Sequence, residues 1–311
     1  MSGVSSGPPA AHGLTRVMAL MNQKGGVGKT TTTVNLAAGL AAAGRDTLLI
    51  DLDPQAHASL HLGVDTSKVE RSVYDVLLEP ARIAEALIET RPRLWLLPAV
   101  TDLAAAESEL AALPDRVARL SAALEAVRGR FEFVLIDCPP SLGLLTLNAL
   151  AAAREVIVPM QAHFLALQGV GKLLETVSLV GAEVNPRLRV SGVILCMHEE
   201  TTKHAREVVA DIQRFFDEAR QQEVPWRGAR VYRPAVRRNI KLAECPSFGQ
   251  TIYEYAPGCP GAADYEKLAQ AVIAEWDALL ARRATGPAAG EPQVTTRAAR
   301  PASAARAERG A

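Results

Sequence analysis

Short apolar segments alternate along the chain with longer segments whose apolar residues are spaced as on one face of a helix. Each short segment has the length of a buried strand, and enough residues separate successive segments to form a crossing helix. This alternation predicts an α/β fold with a mostly parallel sheet and helices on both faces. The predicted strands are residues 17–21, 47–54, 94–97, 131–137, 155–160 and 189–197. The predicted helices are residues 34–43, 72–78, 81–89, 103–128 with a break at Pro114, 167–180, 203–219 and 264–280.

The two ends of the chain differ in composition from its middle. Residues 1–15 contain mainly small side chains with glycine and proline, and residues 281–311 are rich in alanine, proline, glycine and arginine. Such segments lack the large apolar side chains that a core requires, so both are predicted to be disordered. One folded domain is expected over residues 16–280.

Composition indicates an ordinary globular protein. Of the 311 residues, 49% are hydrophobic, and 34 basic side chains balance 34 acidic ones, so any basic surface for nucleic acid or membrane must be local. The four cysteines form no Cys-x-x-Cys pair, which argues against a disulfide framework and a zinc ribbon. We find no signal peptide and no apolar run of about 18 residues, so a cytoplasmic protein without a membrane span is expected.

A glycine-rich turn joins the first predicted strand to the first predicted helix. Residues 22–33 read Asn-Gln-Lys-Gly-Gly-Val-Gly-Lys-Thr-Thr-Thr-Thr. Glycines allow such a turn to bring backbone N–H groups close to an anion at a helix N-terminus, where the partial charge is positive. Lys29 is predicted to reach the β- and γ-phosphates of a nucleotide, and the Thr30 hydroxyl to bind Mg²⁺. The general pattern begins with glycine where this chain has Gln23, and Lys24 adds a second lysine at the entrance of the turn.

Two predicted strands end in carboxylates. Asp51 and Asp53 close the second strand, and Asp137 closes the fourth. Ligands of open parallel sheets bind outside the carboxyl ends of the strands, so all three acids are expected close to the glycine-rich turn. There they can serve a magnesium ion or the attacking water. For Asp53, which precedes Pro54, a turn or helix-capping role stays open as the alternative.

Four motifs, in this order, resemble those of the ParA (Soj-like) partition ATPases of the ParA/MinD superfamily. They are Asn-Gln-Lys-Gly-Gly-Val-Gly-Lys-Thr-Thr-Thr at 22–32, Asp-Leu-Asp-Pro-Gln at 51–55, Val-Leu-Ile-Asp-Cys-Pro-Pro-Ser-Leu-Gly at 134–143 and Ala-Glu-Cys-Pro-Ser-Phe-Gly at 243–249. The likeness extends from about residue 16 to residue 276. It implies a P-loop NTPase-like fold, ATP and Mg²⁺ as cofactors, and slow ATP hydrolysis that a partner stimulates.

The resemblance also implies roles for individual residues. Lys24 would cross a homodimer interface to the partner's nucleotide, Asp53 would position the attacking water, and both would act in catalysis together with Lys29. The magnesium site would use Thr30, Asp51 and Asp137. The nucleotide would be held by Gly25, Gly26, Val27, Gly28, Lys29, Thr30 and Thr31, with Pro246, Ser247 and Phe248 lining the adenine pocket.

The implied partners are DNA and a ParB-like activator. Family members hold DNA without reading its sequence, through a basic surface that dimerisation doubles, and they segregate or position a chromosome, a plasmid or another cargo. A cytoplasmic, nucleoid-associated protein without stable membrane association is therefore expected. The candidate phosphate contacts are Arg206, Arg214, Arg237, Arg238 and Lys241. An ordinary solvated basic face is the alternative.

Two stretches depart from the family pattern. Where relatives often read Asp-Pro-Gln-Gly-Asn-Ala-Thr, this chain reads Asp-Pro-Gln-Ala-His-Ala-Ser from Asp53 onward, which would slow or tune hydrolysis. The segment at residues 221–233 is longer than the linker that the family usually has before its basic segment. The DNA-contacting roles of family residues are therefore assigned less directly to the residues of this chain in that region.

Three rival functions remain open. A MinD-like membrane-positioning ATPase needs an amphipathic anchor helix, and the arginine-rich tail lacks the hydrophobic face of one. An iron-sulfur carrier needs a second cysteine suitably spaced from Cys138. An ATP-dependent scaffold differs from an ATPase only in its negligible turnover. His57 and His61 have no third ligand in view, so no metal besides Mg²⁺ is expected.

Overall fold

A central sheet dominates the computed structural model, which describes residues 13–162, 166–199 and 203–285. Its eight strands are β1 (Arg16–Leu20), β2 (Thr47–Asp51), β3 (Ile88–Arg91), β4 (Leu94–Leu97), β5 (Phe133–Asp137), β6 (Glu155–Met160), β7 (Arg189–Leu195) and β8 (Arg230–Val231). They lie in the order β3-β4-β2-β5-β1-β6-β7-β8, and every neighbouring pair is parallel except β3 with β4. The predicted mostly parallel α/β fold is confirmed.

Helices connect the strands and cover the sheet. They are α1 (Lys29–Ala42), α2 (His57–His61), α3 (Val73–Leu78), α4 (Ile83–Ala86), α5 (Leu103–Ala111), α6 (Arg119–Ala126), α7 (Leu144–Ala152), α8 (Ala166–Glu183), α9 (Lys203–Ala219), α10 (Lys241–Glu244), α11 (Ile252–Tyr255) and α12 (Pro260–Thr285), with 3₁₀ turns at Thr66–Lys68, Pro80–Arg82 and Cys245–Phe248. Residues 1–12 and 286–311 lie outside the described residues, so disorder there stays a prediction.

The strands separate two apolar layers. Met18 and Leu20 of β1 pack into one layer with α1 and α12, whereas Ala19 faces the other layer, formed with α3 and α5 to α9. In β5 the same alternation sends Leu135 to the first layer and Ile136 to the second. Successive side chains of a strand point to opposite faces, so a strand buried on both sides must be apolar throughout. This is why the central strands read as continuous hydrophobic runs.

The register of the central strands gathers the polar side chains at one edge of the sheet. Asp137 at the end of β5 lies opposite Leu20 of β1 on one side and opposite Asp51 of β2 on the other. The glycine-rich turn follows β1 directly, so it emerges at the same edge. Parallel pairing thus places the turn and the two strand-end acids together, as the sequence predicts.

Several elements differ from the predicted ones. The helix predicted for residues 81–89 is formed only in part, as the 3₁₀ turn Pro80–Arg82 and α4, because α4 ends at Ala86 and the chain then forms β3. A tight turn with Arg93 at a φ of +63° folds β3 back onto β4, and these antiparallel hydrogen bonds outweigh local helix propensity. The prediction missed α7, and α12 extends to Thr285, so the first residues of the predicted disordered tail are helical.

Candidate functional site

The glycine-rich turn curves around the N-terminus of α1. Gly26 and Gly28 have φ angles of +71° and +91°, in the left-handed region that residues with a Cβ rarely adopt. An added Cβ on Gly28 would lie 3.2 Å from the Cβ of Cys196, so the turn also packs closely on the segment after β7. Gly28 is the N-cap of α1 and has no side chain to cap it, which leaves backbone N–H groups of the first turn as donors for an anion.

Asp137 brings together three side chains of α1. Its Oδ2 accepts a hydrogen bond from Oγ1 of Thr30 at 2.7 Å. Its Oδ1 accepts bonds from Oγ1 of Thr33 at 2.9 Å and from Nζ of Lys29 at 3.4 Å. A hydroxyl beside a carboxylate provides the oxygen ligands that Mg²⁺ prefers. The structure thus brings Lys29, Thr30 and Asp137 together. The sequence analysis did not predict the contact of Thr33 with Asp137, because nothing distinguishes Thr33 from the other threonines of the run at residues 30–33.

Lys29 lies between two carboxylates. Its Nζ is 3.8 Å from Oδ2 of Asp53 and 3.4 Å from Oδ1 of Asp137. Burial lowers the pKa of Lys29, but the charges of Asp137 and Asp53 outweigh burial and the net pKa is raised. Lys29 is therefore a permanent cation. Asp53 is itself buried, and its Oδ1 accepts a hydrogen bond from the backbone N–H of Gln55 at 3.0 Å.

Asp51 lies beside Asp137 in the sheet but is bound to a different segment. Its Oδ2 accepts bonds from the backbone N–H and the Oγ of Ser59, both at 2.8 Å, and its Oδ1 accepts one from the N–H of Asp53 at 3.2 Å. Burial and the neighbouring charge of Asp137 raise the pKa of Asp51 to about 7, despite the bonds from Ser59. These contacts anchor α2, and a magnesium-binding role for Asp51 stays a prediction.

A cavity of about 690 Å³ opens over the glycine-rich turn. Ligand sites commonly have volumes of about 300–1,000 Å³. The predicted catalytic and nucleotide-binding residues in its wall are Lys24, Gly25, Gly26, Gly28, Lys29, Thr30, Thr31 and Asp53, whereas Val27 is buried in the core. Arg237, predicted as a DNA contact, also lines this cavity. Lys24 is exposed at the rim. A smaller cavity of about 420 Å³, at the opposite edge of the sheet, contains none of the predicted site residues.

The segment predicted to contact adenine is not part of this wall. Pro246, Ser247 and Phe248 do not line the 690 Å³ cavity, whereas Leu242 and Ala243 of the preceding α10 do. Phe248 is 64% exposed and stacks on Tyr255, with ring centroids 5.0 Å apart. The adenine contacts of these three residues therefore stay a prediction. The other wall residues, which the sequence analysis did not single out, include Cys196, Met197, Val236, Asn239, Leu242 and Tyr265.

Most of the suggested DNA contacts are exposed and paired with nearby acids. Arg206 and Arg214 are exposed on α9, and Arg214 pairs with Asp211. Arg238 pairs with Glu199 at 2.7 Å, and the two side chains are 67% and 53% exposed. Exposed ion pairs contribute little to stability, so these arginines can exchange their partners for phosphates.

Arg237 and Lys241 are held more firmly. The guanidinium of Arg237 binds both oxygens of Asp264, at 2.7 Å and 3.0 Å, and the Asp264 side chain is only 4% exposed. Nζ of Lys241 donates to Glu244 at 2.9 Å and lies 5.6 Å from the ring centroid of Tyr255. The structure therefore gives Arg237 a structural partner that the sequence did not reveal.

The described cysteine and histidine side chains form no metal-binding group. Across the described ranges, no group of three His, Cys, Asp or Glu side chains is arranged to hold a metal. Nε2 of His61 lies 3.5 Å from Sγ of Cys245. Burial lowers the pKa of His61 to about 4 and raises that of the Cys245 thiol to about 11, so the pair stays neutral and provides no reactive thiolate. Burial likewise raises the pKa of Cys138 to about 12.

Known proteins resemble this chain over most of its length. The family model described as an AAA domain matches residues 15–190. The chromosome partitioning protein ParA of Caulobacter vibrioides is 42% identical over 261 residues, which are 83% of this chain and 94% of that protein. The chromosome-partitioning ATPase Soj of Thermus thermophilus is 46% identical over 261 residues, 83% of this chain and 96% of that protein.

A solved structure is also similar to this chain. The crystal structure of a protein named cobyrinic acid a,c-diamide synthase from Mycobacterium smegmatis, with a bound ATP analogue and magnesium, is 39% identical with a TM-score of 0.71. The superposition covers 85% of this chain and 96% of that one. Among the described helices, none is both long and apolar enough to cross a membrane. On these matches, the chain belongs to the ParA/Soj family of chromosome-partitioning proteins.

Proposed function

We propose that this protein is a Mg²⁺-dependent ATPase whose nucleotide-controlled pairing drives the partition of a chromosome or another cargo. The observation that carries the proposal is the convergence of Lys29, Thr30 and Asp137 beneath the cavity, with Lys24 exposed at its rim. Relatives named for chromosome partitioning, and a related structure with a bound ATP analogue and magnesium, support it.

The glycine-rich turn fits a triphosphate. An added Cβ on Gly25 or Gly26 would meet no atom within 4 Å, so this side of the turn faces open space. Backbone N–H groups there and in the first turn of α1 would bind phosphate oxygens, and Lys29 would neutralise the β- and γ-phosphates. Thr30 and Asp137 would hold the magnesium ion, whose charge stabilises the phosphoryl group during transfer.

Asp53 is the residue that we assign to the attacking water. Its carboxylate is buried in the wall of the cavity, 3.8 Å from Nζ of Lys29. There Oδ2 can accept a hydrogen bond from a water molecule and orient that water towards the terminal phosphate. It can receive the water's proton as the new oxygen–phosphorus bond forms and the bond from phosphorus to the bridging oxygen of ADP breaks, so that ADP leaves.

Lys24 is the residue that we assign to pairing. Because its side chain is exposed at the rim, it is free to approach a triphosphate held by a second copy of the chain. Charge-assisted hydrogen bonds are strongest where an interface excludes water. Two copies would therefore associate while ATP is intact and separate after hydrolysis removes the bridging phosphate.

Light scattering with a non-hydrolysable ATP analogue and Mg²⁺ tests the pairing. We expect wild-type protein to dimerise and Lys24→Ala to stay monomeric while still binding nucleotide. Lys68→Ala is the matched control, since Lys68 is 82% exposed and pairs only weakly with the exposed Asp65. Dimers of undiminished stability in Lys24→Ala would refute the role of Lys24, and wild-type protein without ATP turnover would refute the ATPase.

We further propose that the ATP-bound dimer binds DNA without sequence preference and that a ParB-like partner accelerates hydrolysis. Retention on random duplex at low salt, lost as salt rises, is the expected signature of phosphate contacts. Charge removal at Arg214 and Arg238 should weaken retention, whereas Arg227→Ala, at another exposed ion pair, should not. Flotation with liposomes instead of retention on DNA would indicate a MinD-like membrane function.

A further inference from the structure

The guanidinium of Arg91 joins three segments beside the candidate site. Arg91 is the last residue of the edge strand β3, and its side chain is 20% exposed. Nη1 donates to the carbonyl of Leu62 at 2.6 Å, and Nη2 donates to the carbonyl of Gly249 at 2.8 Å and to Oε2 of Glu254 at 3.0 Å. The planar fork of arginine is suited to several fixed acceptors at once, which a lysine cannot match.

Two of these segments cross at a pair of glycines. An added Cβ on Gly249 would lie 2.7 Å from Cα of Gly63, and the φ angles of the two residues are +63° and +79°. The close approach excludes any side chain at the crossing. The contact itself has little directional preference, so directional bonds set the relative position of the two backbones. These are the hydrogen bonds from Arg91 and the contact between His61 and Cys245.

One of the joined segments carries the acid that we assign to the attacking water. Leu62 is the C-cap of α2, and α2 begins at His57, shortly after Asp53. Within α2, the backbone N–H and Oγ of Ser59 bind Asp51 at 2.8 Å. The start of α2 is thus fixed to β2, and its end is fixed by Arg91.

The other joined segment leads back to the glycine-rich turn. Glu254 accepts hydrogen bonds from the N–H and Oγ1 of Thr251, at 2.8 Å and 3.0 Å. The next residue, Ile252, donates its N–H to Oδ1 of Asn35 at 2.8 Å, and Nδ2 of Asn35 donates to the carbonyl of Thr31 at 2.8 Å. Both Asn35 and Thr31 belong to α1. Arg91 therefore connects the segment after Asp53 to the helix that begins at Lys29.

We propose that Arg91 is a positioning residue for ATP hydrolysis, an inference that rests on the proposed ATPase function. By holding α2 against the 249–254 segment, and through it against α1, Arg91 sets the position of Asp53 relative to Lys29 and Thr30. Arg91 is not part of the cavity wall, so its removal leaves the nucleotide contacts in place. A displacement of about 1 Å at a reacting group can cost a hundredfold in rate, so the effect falls on turnover.

Steady-state ATP turnover of Arg91→Ala and Arg91→Lys, with Arg82→Ala as control, tests this role. Arg82 precedes the same hairpin and pairs with Glu79 and Glu85, whose side chains are 64% and 54% exposed. We expect kcat of Arg91→Ala to fall at least about tenfold while KM and nucleotide Kd change less than about threefold, the pattern of an interaction needed only in the transition state. Arg91→Lys keeps the charge facing Glu254 but loses the planar fork, so its kcat should be intermediate. Arg82→Ala should match wild type, because an exposed ion pair contributes little to stability.

Hydrogen exchange of the α2 amides provides a readout that is independent of activity. Amides of α2 should exchange faster in Arg91→Ala, with those of α1 unchanged. Wild-type kcat in Arg91→Ala, or an equal loss of kcat and nucleotide affinity, would overturn the proposal, since the latter pattern indicates general loss of structure. If Arg91→Ala does not fold, the same criteria apply to Arg91→Lys. Absence of turnover in wild-type protein would refute the ATPase itself, whereas unchanged α2 exchange would refute only the role of Arg91.

Discussion

His61 should make the folded protein lose stability as the pH falls from neutrality. Its side chain is 1% exposed on α2, and the nearest sulfur, Sγ of Cys245, lies 3.5 Å from Nε2. Burial, helped by the charge of Arg91, lowers the pKa of His61 from 6.5 to about 4. The neutral imidazole is therefore the form that the folded state accommodates.

The direction and size of the effect follow from linkage. Between pH 6.5 and about 4 the unfolded chain binds a proton at His61 that the folded chain does not, so the free energy of unfolding rises with pH in this window. The contribution is fully present above about pH 6.5 and is lost as the pH falls. With these two pKa values, the loss at pH 5 is about 2 kcal/mol relative to pH 7.5, and it approaches roughly 3 kcal/mol below pH 4.

Urea denaturation at pH 7.5 and pH 5 measures this contribution. The difference in unfolding free energy between the two pH values should be about 2 kcal/mol smaller in His61→Gln than in wild-type protein. His57→Gln replaces an exposed histidine on the same helix and should keep the wild-type difference. Comparison at two pH values cancels the titration of carboxylates that all three proteins share. An unchanged pH dependence in His61→Gln would refute the reasoning.

Three further substitutions have defined outcomes. Gly28→Ala, at a φ of +91° and 3.2 Å from Cys196, should weaken ATP binding at least about tenfold, and normal affinity in a fluorescent-nucleotide titration would contradict this. Thr30→Val removes the hydroxyl beside Asp137, so Mg²⁺ should no longer increase ATP affinity, as measured by titration with and without EDTA. Arg16→Met leaves the partly buried Glu155 without its cationic partner and should cost about 2–3 kcal/mol in a urea denaturation, whereas a neutral effect would show that the ion pair contributes nothing.

Local sequence patterns were sufficient to predict the part of the site that lies at the ends of the central strands. Lys29 and Thr30 begin α1 after the glycine-rich turn that follows β1, and the parallel pairing of β1 with β5 then places Asp137 next to them. The exposed position of Lys24 at the rim follows from the same turn. When two residues lie at the ends of neighbouring parallel strands, the sequence pattern is enough to predict that their side chains are in contact.

Contacts between segments far apart in the chain could not be predicted from the sequence. The motif at Phe248 gave no indication that this ring stacks on Tyr255 or that its turn packs against α2. Residues 88–91 form a strand only because β4 provides hydrogen-bonding partners, a tertiary effect that local composition does not contain. For the same reason Arg91 carried no signal, since the carbonyls it binds belong to residues 62 and 249.

The contrast between Arg237 and Arg238 shows why neighbouring arginines should not be treated as equivalent DNA contacts. Both side chains have more than half of their surface exposed, at 53% and 67%. Arg237, however, neutralises an aspartate that is only 4% exposed, and removing one partner of a buried pair typically costs about 3–5 kcal/mol because the remaining charge has no counterpart. Arg238 faces an exposed glutamate, where the expected cost is about 0–1 kcal/mol. Weaker DNA retention after substitution of Arg237 would therefore combine a folding defect with any lost phosphate contact, whereas the same result at Arg238 reports on DNA alone.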